Sequence, residues 1–291
     1  MKILLIGHSI IDHFEEVGNK IPKPGGVFYS SLGILSVSNA CDGIFLLTSW
    51  NENSFYLFEK VYSKVDLRFA VKVDAMPEVF LKTSGEKERE EIYKNLSTQL
   101  SIKQINNWNQ FDGILINMIT GFDISLEQLK TIRKKFSGII YFDFHTLSRG
   151  IEKNMKREFR PIPNAKEWLE NIDIIQCNRS ELDTIIKEGS EVERANQILQ
   201  AGPKILIITK GEKGAQIYFN YRNKINSFSA AAERVNAVNK VGCGDIFGAV
   251  FFYSYISTKD VYKSLKTAIK AGAVAASKSN LTTQPDFRLN D

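Results

Sequence analysis

Val241-Gly242-Cys243-Gly244-Asp245-Ile246-Phe247-Gly248-Ala249 is the stretch on which the reading of this chain turns. Two glycines bracket one small residue, an acid follows at once, and an apolar run of helical character begins. Glycine lets a backbone turn tightly and bring bare N–H groups close to a ligand. The first turn of a helix adds unpaired N–H donors and a partial positive charge, which together suit a phosphate. A carboxylate beside such an anion site repels the anion, unless it takes a proton from something that attacks it. Donors plus a base at a helix start therefore fit phosphoryl transfer to a hydroxyl. An Asp at this place also fits a plain helix cap, stabilising by about 1 kcal/mol. The spacing Gly-x-Gly-x-x-x-Gly, far from the first strand, is not that of a dinucleotide fingerprint.

Outward from this segment, short apolar runs alternate with longer amphipathic ones. Lys2–Ile6, Gly43–Leu47, Gly113–Ile116, Gly138–Phe142, Ile172–Gln176 and Ile205–Thr209 read as buried strands. They are brief and mostly isoleucine-rich, as strands covered on both faces should be. Leu126–Phe136 and Ser190–Leu199 read as helices between them. Repeated β-α-β units imply a mostly parallel sheet with helices on both sides. Gln216–Phe219 and Lys224–Phe228 read as a late hairpin. Val17–Phe28 and Leu67–Leu81, with the alternating Phe69-Ala70-Val71-Lys72-Val73, read as half-exposed strands outside the rhythm. They predict a small β-layer over a site, or a pair of surface hairpins.

Open α/β sheets bind ligands at the carboxyl ends of their strands. Gly7, His8, Ser9 and Asp12 follow the first strand. Asp143 and His145 follow Gly138–Phe142, Asn178 and Glu181 follow Ile172–Gln176, and Gly211 and Gly214 follow Ile205–Thr209. Small and polar residues thus gather at one edge.

The totals fit this picture. The chain has 291 residues, 43% hydrophobic and 24% charged, with a formal net charge of +5. Its Lys and Arg residues are dispersed rather than drawn into the stripe of a nucleic-acid binder. Cys41, Cys177 and Cys243 are odd in number and far apart. That pattern disfavours a disulfide framework or a zinc site and favours a reducing compartment. The opening apolar run turns polar at His8 and is too short for a signal peptide, and Ile246–Ile256 is too short for a membrane span. A cytoplasmic chain is expected, without nucleic-acid or membrane partners.

These pieces occur together, and in the same order from Gly7 to about Ser279, in the ribokinase-like (PfkB) carbohydrate kinases, which the chain resembles. The resemblance implies one three-layer α/β/α domain over residues 1–291, with a mostly parallel central sheet. A small β-sheet lid is expected from about 14–28 and 67–95. Gly242-Cys243-Gly244-Asp245 resembles the family's second signature, so Asp245 would be the base and the backbone of Gly242, Cys243 and Gly244 the anion hole. Pro24-Gly25-Gly26 resembles the first signature, with Gly25 and Gly26 at the lid hinge, touching substrate. Asp12 matches the acid that hydrogen-bonds sugar hydroxyls, although a lone Asp there also fits a helix cap. Asn178-Arg179-Ser180-Glu181 matches the Asn-x-x-Glu motif, in which Asn178 and Glu181 would place Mg²⁺ and the ATP phosphates, largely through water. Ile208-Thr209-Lys210-Gly211-Glu212-Lys213-Gly214 resembles the nucleotide-side turn, with Thr209, Gly211 and Gly214 near ATP. A plain glycine turn before a hairpin fits that stretch equally.

Departures from the pattern matter too. Asn239-Lys240-Val241 stands where the family has Asp-Thr-Thr, which removes a charge near the phosphates and bears on any monovalent-cation requirement. Lys240 would meet a phosphate or point to solvent. Ser30 stands near the usual substrate-binding Asn, and Gly272 near the usual Asn beside adenine. His8 and His145 follow strands at the binding edge, and Phe28 and Tyr29 lie near the hinge, where they would pack or stack on a sugar ring. The expectation is ATP-dependent phosphorylation of a hydroxyl on a small sugar-like substrate, with a homodimer through the lid as a further option. The alternatives are a nucleoside or phosphosugar kinase of the same family, and an idle relative that binds sugar or nucleotide without turnover.

Overall fold

The computed structural model describes residues 1–14, 22–82, 90–222, 224–238, 240–279 and 281. Its strands are β1 (Lys2–Ile6), β2 (Ser9–Phe14), β3 (Lys23–Gly26), β4 (Gly43–Leu47), β5 (Ser49–Trp50), β6 (Val71–Lys72), β7 (Glu78–Lys82), β8 (Glu90–Lys94), β9 (Gly113–Asn117), β10 (Ile139–Asp143), β11 (Arg149–Ile151), β12 (Arg157–Phe159), β13 (Ile174–Asn178), β14 (Ile205–Thr209), β15 (Ala215–Tyr221) and β16 (Lys224–Ala230). Its helices are α1 (Val27–Leu35), α2 (Glu59–Tyr62), α3 (Leu126–Lys135), α4 (Ala165–Leu169), α5 (Arg179–Ile185), α6 (Glu191–Ala201), α7 (Cys243–Thr258) and α8 (Val261–Ala276).

Eight strands form the main sheet in the order β16-β15-β14-β13-β10-β9-β1-β4. From β4 to β14 all neighbours are parallel, and only β15 and β16 run antiparallel. Side chains alternate across a strand, and here the alternation sorts the core into two. Ile3, Leu5, Leu115, Tyr141, Ile205 and Ile207 face α1, α7 and α8. Leu4, Ile6, Ile114, Ile116, Leu206 and Ile208 face α3, α4, α5 and α6. Each buried Leu or Ile contributes about 1.5–3 kcal/mol. The result is the expected three-layer α/β/α sandwich. Caps set the helix starts: Ser125 and Gln128 form a capping box on α3, as do Ser190 and Glu193 on α6.

A second sheet, in the order β3-β2-β7-β8, lies outside this sandwich. Its membership corrects the sequence reading in three places. Within its described part, 22–28, the stretch read as Val17–Phe28 is a strand over Lys23–Gly26, and Val27 and Phe28 begin α1 and are fully buried. The stretch Leu67–Leu81 is not one strand. Phe69 is anchored against Phe45 and Phe111, Val71–Lys72 pairs with Ser49–Trp50, and the second sheet is joined only at Glu78. The sheet also takes Ser9–Phe14, which the sequence reading left as polar residues after the first strand. The remainder of the expected lid segments, 15–21 and 83–89, lies outside the described residues, as do Asn239 and the hairpin residue Asn223.

Candidate active site

The site is built where β1 hands the chain to the second sheet. Only Gly7 and His8 separate β1 from β2, so Asp12 on β2 is fixed relative to the end of β1. Asp12 pairs in register with Lys23 across β2 and β3 and is only 4% exposed. Gly25 lies so close to it that a Cβ there would sit 2.4 Å from an Asp12 carboxylate oxygen. Gly26 has φ +69°, and a Cβ on it would stand 2.3 Å from the His8 carbonyl oxygen. That carbonyl accepts from the Val27 N–H at 3.1 Å. Glycine is therefore required at this turn by close approach and by conformation together.

The Gly25-Gly26 turn runs straight into α1, whose first turn meets α7. The Tyr29 ring lies across Gly242, where a Cβ would come 2.3 Å from its Cγ. Gly242 has φ +76° and precedes α7 with no side-chain cap, so the amides of the first turn are left for other partners. Asp245 is the third residue of α7, in its first turn rather than at the cap position. Its Oδ1 accepts from Asn117 Nδ2 at 2.6 Å, and the same nitrogen donates to Ser30 Oγ at 3.2 Å. A continuous chain of contacts thus joins Asp12, Gly25, Gly26, Ser30, Asn117 and Asp245. The Cys243 thiol is pushed up to about 11 by burial and by the Asp245 charge, so it stays protonated.

Beside this lies a group of acids around one imidazole. Asp143, at the end of β10, is held well above the usual carboxylate range by burial, and also by Glu181 and Asp245. Burial works against a charged His145, but Glu181, Asp245 and Asp143 outweigh it and hold the ring at about 9. His145 Nδ1 faces Glu181 Oε1 at 3.7 Å. Gln176 Nε2 donates to Asp143 Oδ2 at 3.0 Å and to the Gly244 carbonyl at 3.2 Å, while Tyr141 donates to Gln176 Oε1 at 2.6 Å. The turn before Asp245 is thereby tied to the centre of the sheet.

The remaining expected residues fall into two groups. Asn178 and Glu181 form a capping box on α5: Asn178 Oδ1 accepts from the Glu181 N–H at 2.9 Å, and Glu181 Oε2 accepts from the Asn178 N–H at 2.7 Å. Thr209 stands in register with Asn178 on the next strand. Gly272 on α8 overlies the start of α7, its Cβ direction 3.9 Å from the Cys243 carbonyl oxygen. Gly211 opens onto empty space, whereas Gly214 is pressed against the Ala230 carbonyl in a tight turn. Lys240 extends to Glu212 at 3.2 Å, both highly exposed. His8 is buried and bonded through Nδ1 to Ser49 Oγ at 3.0 Å, and burial lowers its affinity for a proton. Phe28 packs against Phe58 and Tyr62. Asn117 and Gln176 escaped the sequence reading. The available signal was a polar residue closing or interrupting an apolar parallel strand.

Residues 148–287 match the family described as pfkB family carbohydrate kinase. Among curated proteins, the chain is 28% identical over 110 residues to a 5-dehydro-2-deoxygluconokinase of Bacillus subtilis, covering 37% of this chain and 32% of that protein. It is 33% identical over 130 residues to a ribokinase of Staphylococcus aureus, covering 43% of this chain and 39% of that protein. The matched stretches thus span well under half of these relatives. Over nearly its whole length the chain shares a fold with solved ribokinase-family structures. One is a pyrophosphate-dependent kinase complexed with a pyrophosphate analog and myo-inositol (TM-score 0.78, 17% identity, 95% of each chain). Another is a ribokinase of Thermotoga maritima (TM-score 0.73, 18% identity, 97% of this chain and 94% of that one). Residues 148–287, just under half of the chain, carry the pfkB family match, and over nearly its whole length the chain shares the ribokinase-like fold.

Proposed function

We propose that this ribokinase-like chain phosphorylates a hydroxyl of a small sugar-like substrate, with ATP as donor and Asp245 as the general base. The observation that carries this reading is the placement of the Asp245 carboxylate. It sits in the first turn of an uncapped helix and is joined through Asn117 and Ser30 to the Gly25-Gly26 turn and Asp12. Asp12 would hold substrate hydroxyls, since a carboxylate accepts several hydrogen bonds. The acceptor hydroxyl would give its proton to Asp245 and attack the terminal phosphoryl group in line. The amides of Gly242, Cys243 and Gly244, with the helix dipole, would offset the charge that develops. The second sheet would close over the acceptor and exclude water.

Among the described residues no three His, Cys, Asp or Glu side chains stand close enough to grip a metal directly. Asn178 and Glu181 nevertheless stand together at the start of α5, at the carboxyl end of β13. That donor set fits a hydrated Mg²⁺ held through water by Asn178 and Glu181, with the donor phosphates supplying the remaining oxygens. The ion would neutralise donor charge. The likeness in fold to a pyrophosphate-dependent kinase of the ribokinase family supports a second reading for the donor, pyrophosphate.

We place the protein in the cytoplasm, acting on small molecules without nucleic-acid or membrane partners, with a lid-mediated homodimer as one option. No helix among the described residues is long and apolar enough to cross a membrane. The test is a donor-by-acceptor screen with ATP and pyrophosphate against sugars, sugar acids, polyols, nucleosides and sugar phosphates. Asp245→Asn should retain donor binding and lose about 10²–10⁴ in kcat. A variant keeping a tenth of wild-type turnover refutes the base. Tight acceptor binding with no turnover in the wild type marks an idle relative instead.

A further inference from the structure

Asn117 closes β9 after the apolar residues Ile114-Leu115-Ile116 and is 1% exposed. Its amide nitrogen serves Asp245 Oδ1 at 2.6 Å and Ser30 Oγ at 3.2 Å, but its own Oδ1 has no hydrogen-bond partner. Burying an amide oxygen without a partner is unfavourable. An apolar side chain would close the same end of the strand without that cost. The fold alone therefore gives no reason for an amide here, whereas the short charge-assisted bond to Asp245 does. The direction of this amide is fixed by its neighbours, since the reverse orientation would set two oxygens against each other.

We propose that Asn117 is a positioning residue for the base. It grips one carboxylate oxygen of Asp245, fixing the plane of the carboxylate and the direction of its other oxygen. Through Ser30 it also ties that carboxylate to the helix that leaves the Gly25-Gly26 turn. This inference rests on Asp245 being the base. Among the described residues, the titratable groups that feel the Asp245 charge include Cys243 on its own helix, Tyr141 and Asp143 on β10, and His145 just beyond.

The test is an NMR titration of the Asp245 side-chain carboxyl, assigned by its loss in Asp245→Asn, in the wild type and in Asn117→Leu. Donation to a carboxylate favours its charged form, so Asn117→Leu should raise the midpoint by about one pH unit. In the kinetic arm, kcat should fall about 10-fold and the acidic limb of its pH profile should move up equally, with donor KM within about twofold. Asn117→Asp, which sets a second carboxylate against the first, should shift the limb further. In the Asp245→Asn background, Asn117→Leu should cost nothing more. An unmoved midpoint in a folded Asn117→Leu protein overturns the proposal, as does a fall in kcat with the limb unmoved. Absence of turnover with every donor and acceptor would refute the kinase reading alone, because the titration decides the Asn117–Asp245 coupling without it.

Discussion

Gly242 and Gly244 stand two residues apart in one turn, yet the structure gives them different tasks. Gly242 adopts φ +76°, and an added Cβ would lie 2.3–2.7 Å from three atoms of the Tyr29 ring. A left-handed backbone costs a side-chain-bearing residue about 1–2 kcal/mol. Forcing the buried Tyr29 ring aside costs about 1–3 kcal/mol more. Gly242→Ala should therefore destabilise by about 3 kcal/mol, which at about 2–4 °C per kcal/mol lowers Tm by about 6–12 °C. Gly244 carries no such burden: it is helical and exposed, and an added Cβ meets nothing within 4 Å. Gly244→Ala should hold or raise Tm, since alanine is favoured over glycine in a helix by up to about 1 kcal/mol. Its methyl would enter the space assigned to the transferring phosphoryl group, and kcat/KM should fall by about 10²-fold, as when an anion-hole contact is lost. Differential scanning calorimetry and steady-state kinetics on both variants separate the two tasks. Tyr29→Ala should recover the steric part of the Gly242→Ala loss, and a double-mutant cycle reads that coupling. A Gly242→Ala protein as stable as wild type refutes the reasoning. So does a Gly244→Ala protein that is destabilised but fully active.

Gln176→Leu keeps volume but strips partners from Tyr141, Asp143 and the Gly244 carbonyl; urea unfolding should show a loss of about 2–4 kcal/mol. An unchanged midpoint would show the network to be dispensable. The His145 ring titrates at about 9, above its ordinary 6.5, so the folded state holds its proton more tightly than the unfolded one. The stability it contributes is complete below pH 6.5 and is lost as pH rises through about 9. Unfolding midpoints measured from pH 6 to 10 should decline across that window, and His145→Gln should flatten the decline. A slope unaffected by the substitution assigns the pH dependence elsewhere.

The main sheet was legible because its strands are short, apolar and regularly spaced. Lys2–Ile6, Gly43–Leu47 and Ile205–Thr209 stand where the apolar pattern put them, and the neighbouring strands differ only at their ends. Burial on both faces leaves a parallel strand little choice of residue, so composition reports it directly. The second sheet was read less well. Its strands are half-exposed, and alternation alone cannot say which partner a strand takes. Phe69 is drawn to the core by the rings of Phe45 and Phe111, which the local pattern around Val71 does not reveal.

By itself the sequence determined the α/β class, the gathering of small and polar residues at one sheet edge, and Asp245 at a glycine-lined helix start. These are local properties, set by neighbours in the chain. Tertiary structure alone decided that Asn117 would meet Asp245 and Ser30, that Tyr29 would lie on Gly242, and that Gln176 would brace the turn. Those partners are up to 213 positions apart, from Tyr29 to Gly242. Their meeting depends on strand order and helix packing, because a hydrogen bond or a ring contact is fixed by distance in space and leaves no mark on spacing along the chain.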